Sequence, residues 1–187
     1  MTSREVSVRL VLVLICVVIL ACHTYGQPQQ KASGVISRDA AVETLRLYLQ
    51  LRLRNADWKD YSKFITWPDE PSWDCAWVVS KYDIGVPKKE KQNVLVPVVY
   101  KRTGLFCYDF EFTPDTKVVT INYELVEHQG DWKVNAPIPD YPDFSAGVLL
   151  KSLKASGEDS RESADRRAKF SAAARKLADV IDRAGEK

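Results

Sequence analysis

Two carboxylates, Asp109 and Glu111, alternate with aromatic residues in the segment 105–112. The aromatic residues are Phe106, Tyr108, Phe110 and Phe112. Aromatic surroundings can raise the pKa of a carboxyl group, and such an acid can act as a general base. The same alternation is expected of a strand with one solvated face, where both carboxylates simply meet water. We favour this second interpretation and predict no catalytic residue, with Asp109 and Glu111 as the candidates if one exists.

No motif of nucleotide binding or nucleophilic catalysis accompanies these carboxylates. The sequence has no Gly-rich phosphate loop, no GxSxG and no paired Cys–His arrangement. The two histidines are His23 and His128, so a zinc site would need an unusual, carboxylate-rich ligand set. The formal net charge of +2 gives no electrostatic footprint for nucleic acid. We therefore expect no metal, no cofactor and no nucleic-acid partner.

The segment 67–74 is the best candidate for a recognition surface, because it combines two tryptophans, two prolines and three acids. Aromatic residues in loops can anchor an interface, so Trp67, Trp73 and Asp74 are the predicted ligand- or partner-binding residues. The alternative, which we slightly favour, is that both tryptophans fold back over the core while the acids cap helices or turns.

Export is predicted by the start of the chain. Arg4 and Arg9 precede an apolar stretch over residues 10–21, which has the length of a signal-peptide core. It is shorter than the ~20 residues that span a bilayer, although an uncleaved anchor is an alternative. Residues 19–22, Ile-Leu-Ala-Cys, resemble a bacterial lipoprotein signal, which implies lipidation of Cys22. Cleavage after Gly26 is the rival reading.

Two of the four cysteines remain for the folded part, Cys75 and Cys107, since Cys16 lies in the apolar stretch and Cys22 at the proposed lipid site. In an oxidising compartment these two could form a disulfide. Two separate buried thiols are the alternative, and the sequence does not decide between them.

Two helices are predicted before the sheet, over residues 39–54 and 58–65, with Asp39 as the N-cap of the first. Every second residue from Leu45 to Leu53 is leucine, which is the period of a strand. The residues between them include good helix formers, and four apolar side chains lie at helical spacing. These are Val42, Leu45, Leu49 and Leu53. We therefore predict a helix with a broad apolar face.

Strands and two further helices follow. The strands are predicted over residues 75–82, 92–102, 105–112, 117–128 and 132–136, with a turn at 113–116. Pro97 places the second strand at a sheet edge or bulge. Helices are predicted over 145–154 and 161–184, joined by a small, polar linker. The fold class is α+β, with N-terminal helices packed on a curved antiparallel sheet of four to five strands, and C-terminal helices.

The resulting domain organisation has a signal segment (1–22), a tether (23–36), an α+β domain (37–155) and a charged C-terminal helix (156–187). The helix carries a narrow stripe that includes Phe170, Leu177 and Val180. We expect it to be separable from the domain, with residues 155–157 as a hinge.

Residues 124–134, Glu-Leu-Val-Glu-His-Gln-Gly-Asp-Trp-Lys-Val, resemble the closing hairpin of small exported bacterial members of the nuclear transport factor 2-like (cystatin-like) α+β folds. The order of elements over residues 39–143 is similar to that family as well. The resemblance implies a cavity between the curved sheet and the first helix. Gly85 to Lys91 is too short for the helix that larger members have between their early strands.

The favoured function is a non-enzymatic, membrane-tethered binding or accessory domain of the bacterial cell envelope or periplasm. Its partners would be the membrane, through the N-terminus, and another envelope protein or a small apolar ligand. A small cavity enzyme, of the isomerase or hydratase type and using a buried carboxylate, is one alternative. A structural interaction module acting through the C-terminal helix is the other.

Overall fold

The structure, a computed structural model, describes residues 35–69 and 73–185. Within these ranges it confirms the α+β class, with helices on both the N-terminal and the C-terminal side of one sheet. The helices are α1 (Val35–Leu53), α2 (Trp58–Tyr61), α3 (Ala146–Glu158) and α4 (Ala164–Gly185). The strands are β1 (Cys75–Ile84), β2 (Lys88–Glu90), β3 (Asn93–Cys107), β4 (Phe112–His128), β5 (Asp131–Ala136) and β6 (Asp143–Ser145). A short 3-10 turn, Ser62–Phe64, extends α2.

The leucine-alternating segment is helical, as predicted, and its buried face follows helical spacing. Ala41, Leu45 and Leu49 are among its buried residues. The helix starts at Val35, so Asp39 lies inside α1 and the predicted N-cap is wrong. It ends where Asn55 adopts a φ of 56°, a conformation that Asn tolerates. The backbone N–H of Ala56 then donates to the Leu51 carbonyl over 3.0 Å, which closes the helix end.

The strand order across the sheet is β5-β4-β3-β1-β6, and β2 pairs beside β1 on the same edge of β3. Neighbours are antiparallel except for β6, which runs parallel to β1. The sheet is therefore mixed and has a sixth strand, which corrects the predicted antiparallel sheet of four to five strands. The correction arises because the chain leaves β5 at one edge and returns at the opposite edge, a crossing that local sequence does not encode.

The hairpin between β3 and β4 lies earlier than predicted. Residues 105–112 are not one strand, because β3 ends at Cys107 and a turn leads into β4 at Phe112. The Asp109 carboxylate accepts the backbone N–H of Glu111 over 3.1 Å and stabilises this turn. Residues 113–116, predicted as a turn, belong to β4. Pro114 is tolerated there because β5 pairs only with the distal end of β4.

Two bulges curve the sheet. Ser80 in β1 and Thr103 in β3 each fall where the strand register shifts. Their hydroxyls donate to carbonyls of the adjacent strand, Ser80 to Lys101 over 3.1 Å and Thr103 to Val78 over 3.2 Å. Bulges of this kind bend a strand and increase its local twist.

Pro97 lies beyond the end of β1, which pairs with β3 only as far as Val98. Its missing N–H therefore disrupts no pairing with β1. The predicted edge or bulge position is wrong, because β3 lies between β4 and β1 in the sheet and Pro97 faces Asn122 of β4 in unbroken register.

The main hydrophobic cluster lies between α1 and the sheet. It joins buried residues of α1 to buried residues of four strands, with Trp67 and Trp132 packed at its border. The strand residues are Val79, Val94, Val96, Val98, Tyr100, Tyr123, Leu125 and Val134. This packing fixes the angle at which the end of α1, and with it Arg52, meets the sheet.

A second cluster attaches the C-terminal helices. Phe170, Leu177 and Val180 of α4 pack with α3 and with Val78 and Phe112 of the sheet. Both helices belong to the compact unit Ile36–Lys187 that contains the sheet.

The predicted hinge at residues 155–157 is wrong, because α3 continues through Glu158. Gly157 instead permits close packing, since a Cβ there would lie 2.7 Å from the Ser171 hydroxyl.

The predicted signal and the lipid site at Cys22 lie outside the described residues, as do Cys16, His23 and the predicted tether up to residue 34. The last two residues assigned to the tether, 35 and 36, belong to α1. Of the helices that the structure describes, none combines the length and apolarity that crossing a membrane requires.

Candidate binding site

Arg52 is a buried cation in the last turn of α1, with 8% of its surface exposed. Its guanidinium carbon lies 4.9 Å from the Trp73 ring centroid and 5.2 Å from that of Tyr61. Arg52 Nη1 donates to the Tyr61 hydroxyl over 3.2 Å. Aromatic faces attract a cation electrostatically and hold the guanidinium in place.

A pocket of about 90 Å³ opens at this guanidinium. One wall comes from the end of α1 and from Tyr61, and the other from Trp73 and the segment entering β6. The lining residues are Arg52, Asn55, Ala56, Tyr61, Trp73, Pro142 and Phe144. The pocket thus combines a cation, an amide and apolar or aromatic walls, a composition suited to a ligand with a charged end and an apolar body.

The structure separates the three residues predicted for recognition. Trp67 is half-buried and packs on the main cluster, where its ring meets Tyr48 edge-on at 6.3 Å. Trp73 is half-buried, lines the pocket and donates its indole N–H to the Pro139 carbonyl over 3.3 Å. Asp74 is exposed, and its backbone carbonyl accepts the N–H of Tyr108. Of the three, only Trp73 lines this pocket.

Arg102 is the second buried arginine and is held differently. Its Nη2 lies 3.1 Å from the Asp143 carboxylate, and its guanidinium lies 4.6 Å from the Trp77 ring centroid. Burial raises the pKa of Asp143, and the neighbouring Arg102 cation opposes that rise. The ion pair joins β3 to β6 and fixes the segment that carries Pro142 and Phe144 to the pocket.

Three tyrosines surround the centre of the main cluster. The hydroxyls of Tyr100 and Tyr123 are hydrogen bonded at 2.8 Å, and Tyr48 packs edge-on against Tyr123. Desolvation raises the pKa of all three, so each stays neutral well into the alkaline range. Protonated phenols thus lie between α1 and the sheet, the region where the family resemblance implies a cavity.

The two catalytic candidates take no part in the pocket at Arg52. Asp109 and Glu111 are exposed in the β3–β4 turn, and neither lines the pocket. His128, at the end of β4, is exposed as well. Among the residues that the structure describes, no group of three or more His, Cys, Asp or Glu side chains could hold a metal ion.

Cys75 and Cys107 form a disulfide. They face each other as register partners on β1 and β3, with their Cα atoms 3.9 Å apart, inside the ~7 Å within which a bond can form. The bridge holds the start of β1, and therefore Trp73 two residues before it, against the end of β3.

Most of the pocket was missed from sequence, although one signal for Arg52 exists. Arg52 follows Tyr48 by four residues and Leu45 by seven, so it lies on the apolar face of α1. An arginine in that register is expected to be buried and to need partners. Pro142 and Phe144 reach the pocket only through the β6 crossing, which the sequence does not show.

No protein-family model, curated protein or solved structure matches this chain.

Proposed function

We propose that this protein is an exported, membrane-tethered binding domain whose ligand or partner enters the pocket at Arg52 and Trp73. The observation that carries the proposal is the composition of the pocket wall. An arginine cannot give up its proton near neutral pH, and an amide and an indole hold a ligand without exchanging protons. The remaining polar group among the lining residues, the Tyr61 hydroxyl, accepts a hydrogen bond from Arg52. The wall therefore favours recognition over proton-transfer chemistry.

Export to the bacterial cell envelope is part of the same proposal. The disulfide between Cys75 and Cys107 supports it, because such bonds persist in oxidising compartments outside the cytoplasm. We place the membrane attachment at lipidated Cys22, at the end of a tether of polar residues. We keep the nuclear transport factor 2-like relationship as a proposal, supported by helices followed by a curved sheet.

Two alternatives find less support. The buried carboxylate that an enzyme would use is Asp143, but its oxygen is engaged by Arg102 and it does not line the pocket. The stripe on α4 that an interaction module would present is buried in the second cluster. A partner approaching α4 would meet mainly charged side chains.

The test is a ligand screen by saturation-transfer NMR, using a library of small acids, amines, neutral polar compounds and short peptides. We expect compounds that bind the wild type and the Tyr108→Ala variant but not Trp73→Ala. Tyr108 is a matched aromatic control because it is 82% exposed and does not line the pocket. Hits that bind Trp73→Ala undiminished, or that the protein converts to product, would contradict the proposal.

A further inference from the structure

We infer that the pocket at Arg52 is a carboxylate-binding site, which takes the acidic end of a ligand whose apolar body lies against Trp73 and Phe144. The inference rests on the proposed binding function and specifies the chemistry of its ligand.

The two buried arginines differ in their partners. Each lies over a tryptophan ring, Arg102 over Trp77 and Arg52 over Trp73. Arg102 has a carboxylate partner, Asp143, at 3.1 Å. Among the described residues, none of the ion pairs includes Arg52. Asp143 acts on Arg52 only as a neighbouring charge, without an ion pair. A buried cation normally has a direct counter-charge, so within the described part of the chain Arg52 lacks the contact that Asp143 gives Arg102.

Arg52 has N–H donors that no protein group uses in the described part of the chain. A guanidinium has five N–H groups in a planar fork, and Arg52 uses Nη1 to reach Tyr61. Among the described residues, the buried side-chain nitrogen that lacks a hydrogen-bond partner is Arg102 Nε. No nitrogen of Arg52 is in this condition. The other Arg52 donors therefore keep some contact with solvent, and because Arg52 lines the pocket, a ligand there can accept from them.

The pocket matches a carboxylate group in shape and in size. The fork of a guanidinium fits the two oxygens of a carboxylate, and the amide of Asn55 adds a neighbouring donor. Trp73, Pro142 and Phe144 provide the apolar walls. A volume of about 90 Å³ holds one end group, whereas whole small-molecule sites enclose roughly 300 Å³ or more. The carboxylate is therefore carried by a compact organic acid or by the last residue of a peptide chain.

Isothermal titration calorimetry on the full chain distinguishes these possibilities. The ligands are benzoate, its neutral analogue benzamide, inorganic phosphate, and an acetylated Ala-Ala-Phe peptide with a free or an amidated C-terminus. We expect benzoate, the free-acid peptide or both to bind, and benzamide and the amidated peptide to bind at least tenfold more weakly. Which acid binds more tightly identifies the source of the carboxylate.

Variants test the role of Arg52. Arg52→Gln should weaken benzoate or free-acid peptide binding at least tenfold, and Arg52→Lys severalfold, because lysine keeps the charge and loses the fork. Arg54→Gln is the matched control, since it removes the same charge from an exposed arginine two residues away, and should change affinity less than twofold. Circular dichroism verifies that each variant is folded; the wild-type comparison of acid with amide decides the question if Arg52→Gln is not.

The inference is overturned if neither acid binds, if the amides bind as tightly as the acids, if phosphate binds more tightly than both acids, or if Arg54→Gln is as damaging as Arg52→Gln. A screen that finds neutral or cationic ligands at Trp73 would leave the proposed binding function standing while removing this carboxylate assignment. A screen without Trp73-dependent ligands would remove the binding function itself.

Discussion

Gly104 shows how a single residue determines the curvature of the sheet. It follows the bulged Thr103 and stands opposite Pro114 of β4. A Cβ at this position would overlap the Thr113 carbonyl oxygen and lie 2.6 Å from ring atoms of Phe112. The absence of a side chain therefore lets β3 and β4 approach closely at the bulge, where Phe112 is buried.

We predict that Gly104→Ala destabilises the protein by about 1–3 kcal/mol, because neither a backbone oxygen nor a buried ring can easily move. Gly147→Ala is the control, since a Cβ in α3 at that position meets only the Ser145 hydroxyl at 3.9 Å. Urea unfolding measures both. Equal stability of the two variants would show that the strands have room at Gly104.

The buried tyrosines predict a pH dependence. Their pKa values are raised in the folded state, so the unfolded chain releases protons from Tyr48, Tyr100 and Tyr123 that the folded chain retains. The free energy of unfolding should therefore be unaffected by these groups below about pH 9 and fall as the pH rises past about 10.

Urea unfolding across that range measures the loss, and replacing Tyr100 and Tyr123 together with Phe should reduce its slope. An unchanged slope would contradict the assigned burial. Replacing both phenols, rather than one, avoids leaving a buried hydroxyl without its partner.

At the scale of elements, residue type proved more informative than periodicity alone. The alternating leucines of α1 have the period of a strand, yet unbranched Leu, Arg and Gln favour a helix, and a helix forms. The Gln129–Gly130 turn was also predictable, because both residues adopt positive φ, which Gly favours in a two-residue hairpin.

The errors have physical causes that local sequence conceals. Asp109 closes a turn with its side chain in a segment whose aromatic alternation indicates a strand. Pro114 is accepted in a strand because one side of β4 has no strand partner there in the described part of the chain. The hinge was predicted because Gly157 is a flexible residue type. In the structure a glycine is needed there because α4 approaches α3 closely at this position.

The sequence predicts that α4 is separable from the domain, and only a truncation tests this. The packing of α4 in the structure leads us to expect that it is not separable. Phe170, Leu177 and Val180 are at most 7% exposed, and burying each contributes about 1.5–3 kcal/mol. A chain ending at Glu158 would expose Val78, Phe112 and Leu153. We expect it to lose cooperative unfolding or solubility; a cooperative, modestly shifted melting transition would favour separability.

A point variant tests the same packing without truncation. Leu177 is fully buried, so Leu177→Ala should cost about 2–5 kcal/mol, while Lys176→Ala at the exposed neighbour should stay within about 0.5 kcal/mol. Thermal unfolding compares the two. Similar melting temperatures would mean that α4 contributes little to the core.

At the scale of the whole molecule, the disulfide between Cys75 and Cys107 stabilises the fold in an oxidising compartment. It closes a sequence separation of 32 residues, for which chain entropy gives a stabilisation of about 3–4 kcal/mol. We expect the protein, purified without reductant, to resist alkylation at Cys75 and Cys107 until it is reduced. Replacing both by Ser should lower the unfolding midpoint as much as reduction does. Free thiols in the unreduced protein would contradict the disulfide.

Membrane attachment is tested separately by growth with a fatty-acid analogue. The prediction is label on Cys22 and its loss in Cys22→Ala. An unlabelled mature chain starting at Gln27 would instead support cleavage after Gly26.

The central claim, a carboxylate-binding pocket at Arg52 and Trp73, is tested most directly by NMR of the full chain during titrations with benzoate and with the free-acid peptide. The account predicts that in at least one titration the Arg52 Nε–H and Trp73 indole N–H resonances move together with one dissociation constant. The matched pair Arg102 and Trp77 should stay in place, because Asp143 already neutralises Arg102. Shifts at Arg102 and Trp77 with Arg52 and Trp73 unmoved, or no shifts at either pair in either titration, would contradict it.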